Sequence, residues 1–248
     1  MVEQFDINSI LFIDIETVPL VGSFEELSDP LQELWGNKCK SILKKSEDLS
    51  YDEIAATFSE RAGIFAEFGK IICISVGFVR SKIGEESILR LKSFHGNNER
   101  KILEDFSAML EKNFNSPSKH FLCGHNLREF DIPYICRRMV INRLHLPDML
   151  NISGKKPWET KHLIDTLELW KFGDIKNYTS LKLLCAVMGI ASPKDDIDGS
   201  KVGAVYWEDN DLERIATYCE KDVLAVVQVF LSFSRINTLA EHQIQIIK

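Results

Sequence analysis

Three short stretches of this 248-residue chain carry acidic side chains where charge is costly. Asp14 and Glu16 belong to Ile10-Leu11-Phe12-Ile13-Asp14-Ile15-Glu16, an apolar, β-branched run that reads as a strand buried on both faces. Strand residues two apart point to one face. The pair would therefore repel in a poorly solvated setting unless a divalent cation, which favours carboxylate oxygen, offset the charge. The alternative is that the strand ends at Thr17-Val18-Pro19 and leaves both groups in water. Asp131 closes Gly124-His125-Asn126-Leu127-Arg128-Glu129-Phe130-Asp131, where a strand gives way to a polar loop and a helix opens. It is either a helix N-cap or a ligand. Tyr218 and Asp222 lie four apart in Tyr218-Cys219-Glu220-Lys221-Asp222, one helical turn from each other. Ile215 and Val226 project in nearly the same direction, so the pair sits beside the buried stripe of its helix. A plain Tyr–Asp contact at a helix surface is the other reading.

One chemistry would draw these segments together. Phosphodiester hydrolysis by two metal ions about 3.5–4 Å apart needs roughly four carboxylates from separate elements. It also benefits from a group that orients the attacking water. Asp14, Glu16, Asp131 and Asp222 meet the first need and the Tyr218 hydroxyl meets the second, although spacing by itself does not make them converge.

Elements able to position them can be read along the chain. Strands are predicted at 10–16, 71–79, 87–94, 120–123 and 161–165. Helices are predicted over about 98–113, 131–143, 178–188 and 212–233, with two or three more within 23–68 and a polar loop at 190–209. The first three strands lack long helices between them, which suits an antiparallel meander, whereas the later ones alternate with helices. That order predicts a mixed α/β sheet flanked by helices. Without a Pro/Gly/Ser-rich linker, residues 1–248 are expected to form a single domain bearing a helical insertion at about 23–68.

With 45% hydrophobic and 27% charged residues, the chain has the composition of a globular protein. No apolar run approaches the ~20 residues of a membrane span. The first residues, MVEQFDINSI, do not read as a signal peptide, so a cytoplasmic location is expected. Six cysteines without a CxxC pair read as reduced, buried thiols, and the scattered histidines argue against a structural zinc site. A net charge of −7 disfavours broad coating of nucleic acid but is compatible with gripping one strand end.

The segments also resemble a known family. Ile13-Asp14-Ile15-Glu16-Thr17 is similar to the first motif of the DEDD exonucleases. Asn126 through Phe130-Asp131 is similar to the second, and Tyr218-x-x-x-Asp222 to the third in its tyrosine (DEDDy) form. The likeness is nearest to stand-alone predicted exonucleases related to the proofreading domain of family B DNA polymerases. Phe68–Ser75, Tyr178–Lys182 and Asp196–Val202 add to it, and it runs from about residue 8 to 233. It implies a ribonuclease H-like, five-stranded mixed sheet whose first three strands are antiparallel. It also implies two divalent ions, Mg²⁺ or Mn²⁺, and stepwise 3′→5′ hydrolysis to 5′-mononucleotides. Asp14, Glu16, Asp131 and Asp222 would be ligands and Tyr218 would align the water. Ile15, Thr17, Asn126 and Phe130 would contact the substrate. Within these 248 residues no polymerase domain is expected.

The likeness to the polymerase proofreading domain favours single-stranded DNA as substrate; a 3′→5′ exoribonuclease is the alternative, because no single residue reveals whether contacts to the 2′-OH are made. A non-catalytic binding module on the same fold is a further alternative, as is an endonuclease. Lys194 and Lys201 in the polar loop either grip the strand or are simply solvated. Arg137, Arg138 and Arg143 read as a solvated helix face or as phosphate contacts. Trp158, Trp170, Phe172, Tyr178 and Trp207 are expected mostly in the core, Phe58, Phe65 and Phe68 are expected to pack the insertion on the sheet, and Asp165 stands either near the site or in a structural role.

Overall fold

A computed structural model describes residues 2, 5–45, 47–174, 176, 178–190 and 197–247. The apolar run at the start becomes β1 (Ile10–Pro19), which is followed by α1 (Asp29–Leu43) and α2 (Tyr51–Arg61). Next come β2 (Gly69–Arg80), β3 (Ile88–His95), α3 (Glu99–Asn113), β4 (Phe121–Gly124) and α4 (Asp131–Ile141). The chain continues through β5 (Leu163–Asp165), α5 (Thr166–Lys171), α6 (Leu181–Val187), a short α7 (Val202–Ala204), α8 (Leu212–Phe233) and β6 (Ile244–Ile246). The sheet order is β5-β4-β1-β2-β3-β6. β1–β2 and β2–β3 pair antiparallel, and the remaining neighbours pair parallel.

β1 therefore lies inside the sheet, as its uninterrupted apolar run requires. Leu11, Ile13 and Ile15 pack with Leu103 and Phe106 of α3 and Ile132 of α4. On the opposite face Ile10 and Phe12 pack with Val226, Val229 and Phe230 of α8, and the Phe12 and Phe230 rings meet edge-on at 5.5 Å. Long α8 thus runs across β1, β2 and β3. No helix among the described residues is long and apolar enough to cross a membrane.

Several expectations need correction. The sheet has six strands rather than five, because β6 pairs with the outer edge of β3 from Leu89↔Ile244 to Leu91↔Ile246. Three residues are too few to show an alternation, yet they cover an open edge. β1 does not stop before Thr17. The register steps from Glu16↔Cys73 to Thr17↔Ile71, so a bulge at Ile72 lets pairing continue to Pro19 at the strand's end. Residues 202–209 are not loop. α7 passes into a π-helical turn at Val205–Asp209, and Val202, Val205 and Tyr206 are buried with Val18. Their spacing of three and four was masked by polar neighbours.

The helical insertion has a core of its own. Trp35 meets Phe58, Phe65 and Phe68 at centroid distances of 5.5, 6.1 and 5.0 Å. These phenylalanines pack around Trp35 within the insertion's cluster instead of spreading over the sheet. The seam to β1 is tight. Thr17 Oγ1 and Tyr134 Oη both donate to the Gly63 carbonyl, at 2.8 and 2.9 Å. A Cβ on Gly69 would stand 2.3 Å from Tyr134 Oη and 2.9 Å from the Val18 carbonyl, so only glycine fits there.

Candidate active site

Along the α8-facing side, β1 reads Ile10, Phe12, Asp14, Glu16, Val18: two carboxylates interrupt an apolar stripe. Strand alternation puts them on that face together, and the bulge follows immediately after Glu16. Glu16 is only 7% exposed, so the solvated, frayed strand end does not occur. Among the described residues, Glu16 has no hydrogen-bond or ion-pair partner.

α8 brings the third motif over these groups. Tyr218 and Asp222 are half-buried, and the phenol donates a hydrogen bond to Asp222. Between them on the inner side, fully buried Cys219 approaches Asp14: its thiol lies 3.4 Å from both the carbonyl and Oδ2 of that residue. Ligand atoms of Asp14, Glu16 and Cys219 all fall within 4.8 Å of one another.

The second motif arrives from the far side of β1. Asp131, 3% exposed, is the first residue of α4, and the N-cap position belongs to Phe130. Its carboxylate accepts from the N–H of Ile15 on β1, which ties α4 to the strand between the two acidic residues. The preceding loop is shaped by Asp165, whose carboxylate accepts from the N–H groups of Asn126 (2.9 Å), Arg128 (3.0 Å) and Leu167 (3.0 Å). Asp165 is thus the anchor of the motif-two loop and the N-cap of α5. Asn126 takes a left-handed conformation (φ 62°), which asparagine tolerates better than most residues. Gly124 has no space for a side chain, since a Cβ would meet Leu127 at 2.8 Å and the Ile13 carbonyl at 3.0 Å. His125 binds Thr166 Oγ1 (3.0 Å) and the Thr179 carbonyl (2.8 Å) through its two ring nitrogens, and burial holds its pKa below the usual value.

The electrostatics follow from this convergence. Burial, then Asp222, Asp131 and Glu16, push the Asp14 carboxyl well above its ordinary range, against a lowering by the Cys219 thiol. Burial and Asp222 do the same to Glu16. Asp131 is pushed up to about 7 by burial, with Asp165 and Asp222 raising it and N–H donors, including that of Ile15, holding it down. Burial and then the charge of Asp222 keep the Tyr218 phenol far above its usual value, so it remains a donor at neutral pH. Buried carboxylates that destabilise one another through hard oxygen donors fit a divalent cation.

The expected substrate contacts are placed unevenly. Phe130 is half-buried against Tyr134 (5.5 Å between centroids) and opens beside Asp131. The Ile15 side chain is core, and the Thr17 hydroxyl is taken by Gly63, so these two face a strand only through their main chain. Lys201 is exposed on the turn that enters α7, which packs on β1, and its ammonium lies 3.9 Å from Asp198. Lys194 and Asp196 fall outside the described residues. Tyr178, expected in the core, is 66% exposed, and burial and then Asp131 and Asp165 raise its phenol. It stands beside the second motif, and the polar residues around it (Asp174, Lys176, Thr179, Ser180) were the signal that it lies outside the helix. Trp158 and Phe172 are also exposed, whereas Trp170 stacks on Phe233 and Trp207 packs edge-on against Tyr206. Arg138 is no solvated residue: it is buried and paired with Glu99.

A mixed sheet whose first three strands are antiparallel, flanked by helices and crossed on one face by a long α8, is a ribonuclease H-like fold, similar to that of polymerase exonuclease domains. The chain belongs to the family described as a predicted 3′–5′ exonuclease related to the exonuclease domain of PolB, whose model matches residues 64–245. The match contains the second and third motifs and leaves the first, Asp14-Ile15-Glu16, outside its bounds. Among solved structures, the family B DNA polymerase of the hyperthermophilic archaeon Pyrobaculum calidifontis is similar at a TM-score of 0.51 and 18% identity. That likeness covers 91% of this chain and 24% of the polymerase, so the chain spans about a quarter of its length. No curated protein matches the chain.

Proposed function

We propose that this chain is a single DEDDy-type exonuclease domain that hydrolyses single-stranded DNA from its 3′ end to 5′-mononucleotides by a two-metal mechanism. The observation that supports it most is the meeting of Asp14, Glu16, Asp131 and Asp222 from β1, α4 and α8 in one cluster, with Glu16 and Asp131 buried and Asp14 and Asp222 half-buried. Asp14, Glu16, Asp131 and Asp222 would hold two Mg²⁺ or Mn²⁺ ions. Bound there, such ions activate water and neutralise charge developing on the phosphate. The Tyr218 hydroxyl, steadied by Asp222, hydrogen-bonds the attacking water and aligns it with the scissile P–O bond. Phe130, next to Asp131 in the chain, and exposed Tyr178, whose phenol Asp131 raises, offer rings to the terminal nucleotides, a sequence-tolerant mode of binding. Asn126 and Lys201 supply polar contacts to the strand. Kinship with a DNA polymerase domain supports DNA over RNA.

The test uses 5′-labelled DNA and RNA of one sequence with Mg²⁺, Mn²⁺ or EDTA, beside the Asp14→Ala variant. The expected result is a metal-dependent ladder shortening from the 3′ end, faster on DNA and absent in the variant. Faster loss of RNA would reassign the substrate, cleavage of circular strands would indicate an endonuclease, and no cleavage under any metal would point to a binding module.

A further inference from the structure

Cys219 has no part in the proposed hydrolysis, yet its fully buried thiol lies 3.4 Å from Asp14 Oδ2. Cys73, also fully buried and paired across the strands with Glu16, is hydrogen-bonded to it. Mg²⁺ and Mn²⁺ gain little from sulfur, whereas Zn²⁺ and its analogues gain much. We propose that thiophilic divalent cations, Zn²⁺ above all, are held at this centre by the Cys219 thiolate together with Asp14 and Glu16, and that such an ion excludes the working metal and stalls hydrolysis. The proposal rests on the reading of Asp14 and Glu16 as metal ligands.

The geometry is close to what such an ion requires. Tetrahedral zinc with Zn–S near ~2.3 Å and Zn–O near ~2.1 Å sets its donor atoms roughly 3.5 Å apart. Cys219 Sγ already lies 3.4 Å from Asp14 Oδ2, and all three donor atoms lie within 4.8 Å of each other. Glu16 supplies an independent sign of a ligand: a carboxylate more than nine-tenths buried, turned into the cluster, with no partner among the described residues. On binding, the thiol proton leaves for solvent and a metal–sulfur bond replaces the S–H bond. The site needs no histidine, so it differs from the structural zinc sites that scattered histidines argue against.

Cobalt(II) is the probe, because thiolate coordination gives it a near-ultraviolet charge-transfer band. The EDTA-stripped full chain is titrated with Co²⁺ and then with Zn²⁺, and Mn²⁺ binding is followed in parallel by its electron paramagnetic resonance. The expected result is a charge-transfer band in the wild-type chain that Zn²⁺ abolishes. The band is lost in Cys219→Ser and Cys219→Ala, retained in Cys73→Ser, and Mn²⁺ still binds each variant. Zinc affinity of Cys219→Ser should fall by roughly 10–100-fold or more, since even partners beyond the ligands cost that much. The wild-type spectrum decides the matter even if a variant fails to fold. A wild-type chain that binds Mn²⁺ but shows no band with Co²⁺ would overturn thiol ligation and leave the carboxylate site standing. Binding of neither ion would overturn both.

Discussion

β2 runs past two clusters of buried charge that are built in opposite ways. At Ile71 its N–H donates to Glu99, whose carboxylate also takes Arg138 in a two-pronged pair at 2.8 and 2.6 Å and the amide of Asn142 at 2.9 Å. The remaining Arg138 nitrogen donates to the Ala66 carbonyl at 2.8 Å. Two residues further along, Cys73 faces Glu16, and there carboxylate meets carboxylate: Asp14 and Glu16 are raised by burial and then by Asp222, and Asp131 by burial and then by Asp165 and Asp222 against its N–H donors. The first cluster closes its own electrostatics and clamps α3, α4 and the end of the insertion together. In the second, burial and mutual repulsion raise the carboxyls instead. The difference separates a structural ion pair from a candidate functional site, even though both consist of buried charge.

Neutralising the open cluster should give the largest effect. Asp14→Asn or Asp222→Asn should cost about 5 kcal/mol of transition-state stabilisation, roughly 10⁴-fold in turnover. Without divalent ions, Asp14→Asn should instead unfold at a higher urea concentration, by about 1 kcal/mol, the exchange expected where a strained site is relaxed. A lower midpoint would break the comparison. The closed cluster should respond in the reverse sense. Arg138→Met leaves Glu99 buried without its partner and should cost about 3–5 kcal/mol in urea unfolding.

Tyr218→Phe separates positioning from metal binding. Single-turnover cleavage should slow roughly 10²-fold, while Mn²⁺ affinity and urea midpoint stay near wild type. A matching loss of Mn²⁺ affinity would show that the phenol shapes the ligand set instead.

The smallest effect is the pH slope of the metal-free chain. Asp131 is raised to about 7 from 3.8, so between those values the folded chain binds more protons than the unfolded one. Stability must therefore fall as pH rises through that window. Thermal midpoints should drop by on the order of a few degrees between about pH 4.5 and 7. Asp131→Asn should flatten the slope, and saturating Mn²⁺ should remove it while adding about 2.7 kcal/mol at a hundredfold excess over its Kd.

The acidic site was legible because its signals are local. Alternation on β1 put Asp14 and Glu16 on one face, and the helical repeat put Tyr218 beside Asp222 next to a buried stripe. Asp165, Arg138 and Tyr178 were less legible, because each draws its role from distant partners. Asp165 gathers N–H groups from a loop 39 and 37 residues away. Arg138 finds Glu99 across 39 residues and Ala66 across 72. β6 and the 202–209 helical turns are too short for periodicity to show and exist because a sheet edge and the end of β1 receive them.

The sequence by itself determined which residues are candidates for the chemistry and which elements hold them, since side-chain direction in a strand or helix repeats every two or 3.6 residues. Only the tertiary structure decided that β1, α4 and α8 meet at one point, that Cys219 lies against Asp14, and that one buried charge cluster is closed while the other is open. Those outcomes depend on packing between segments about a hundred residues apart, which no local pattern encodes.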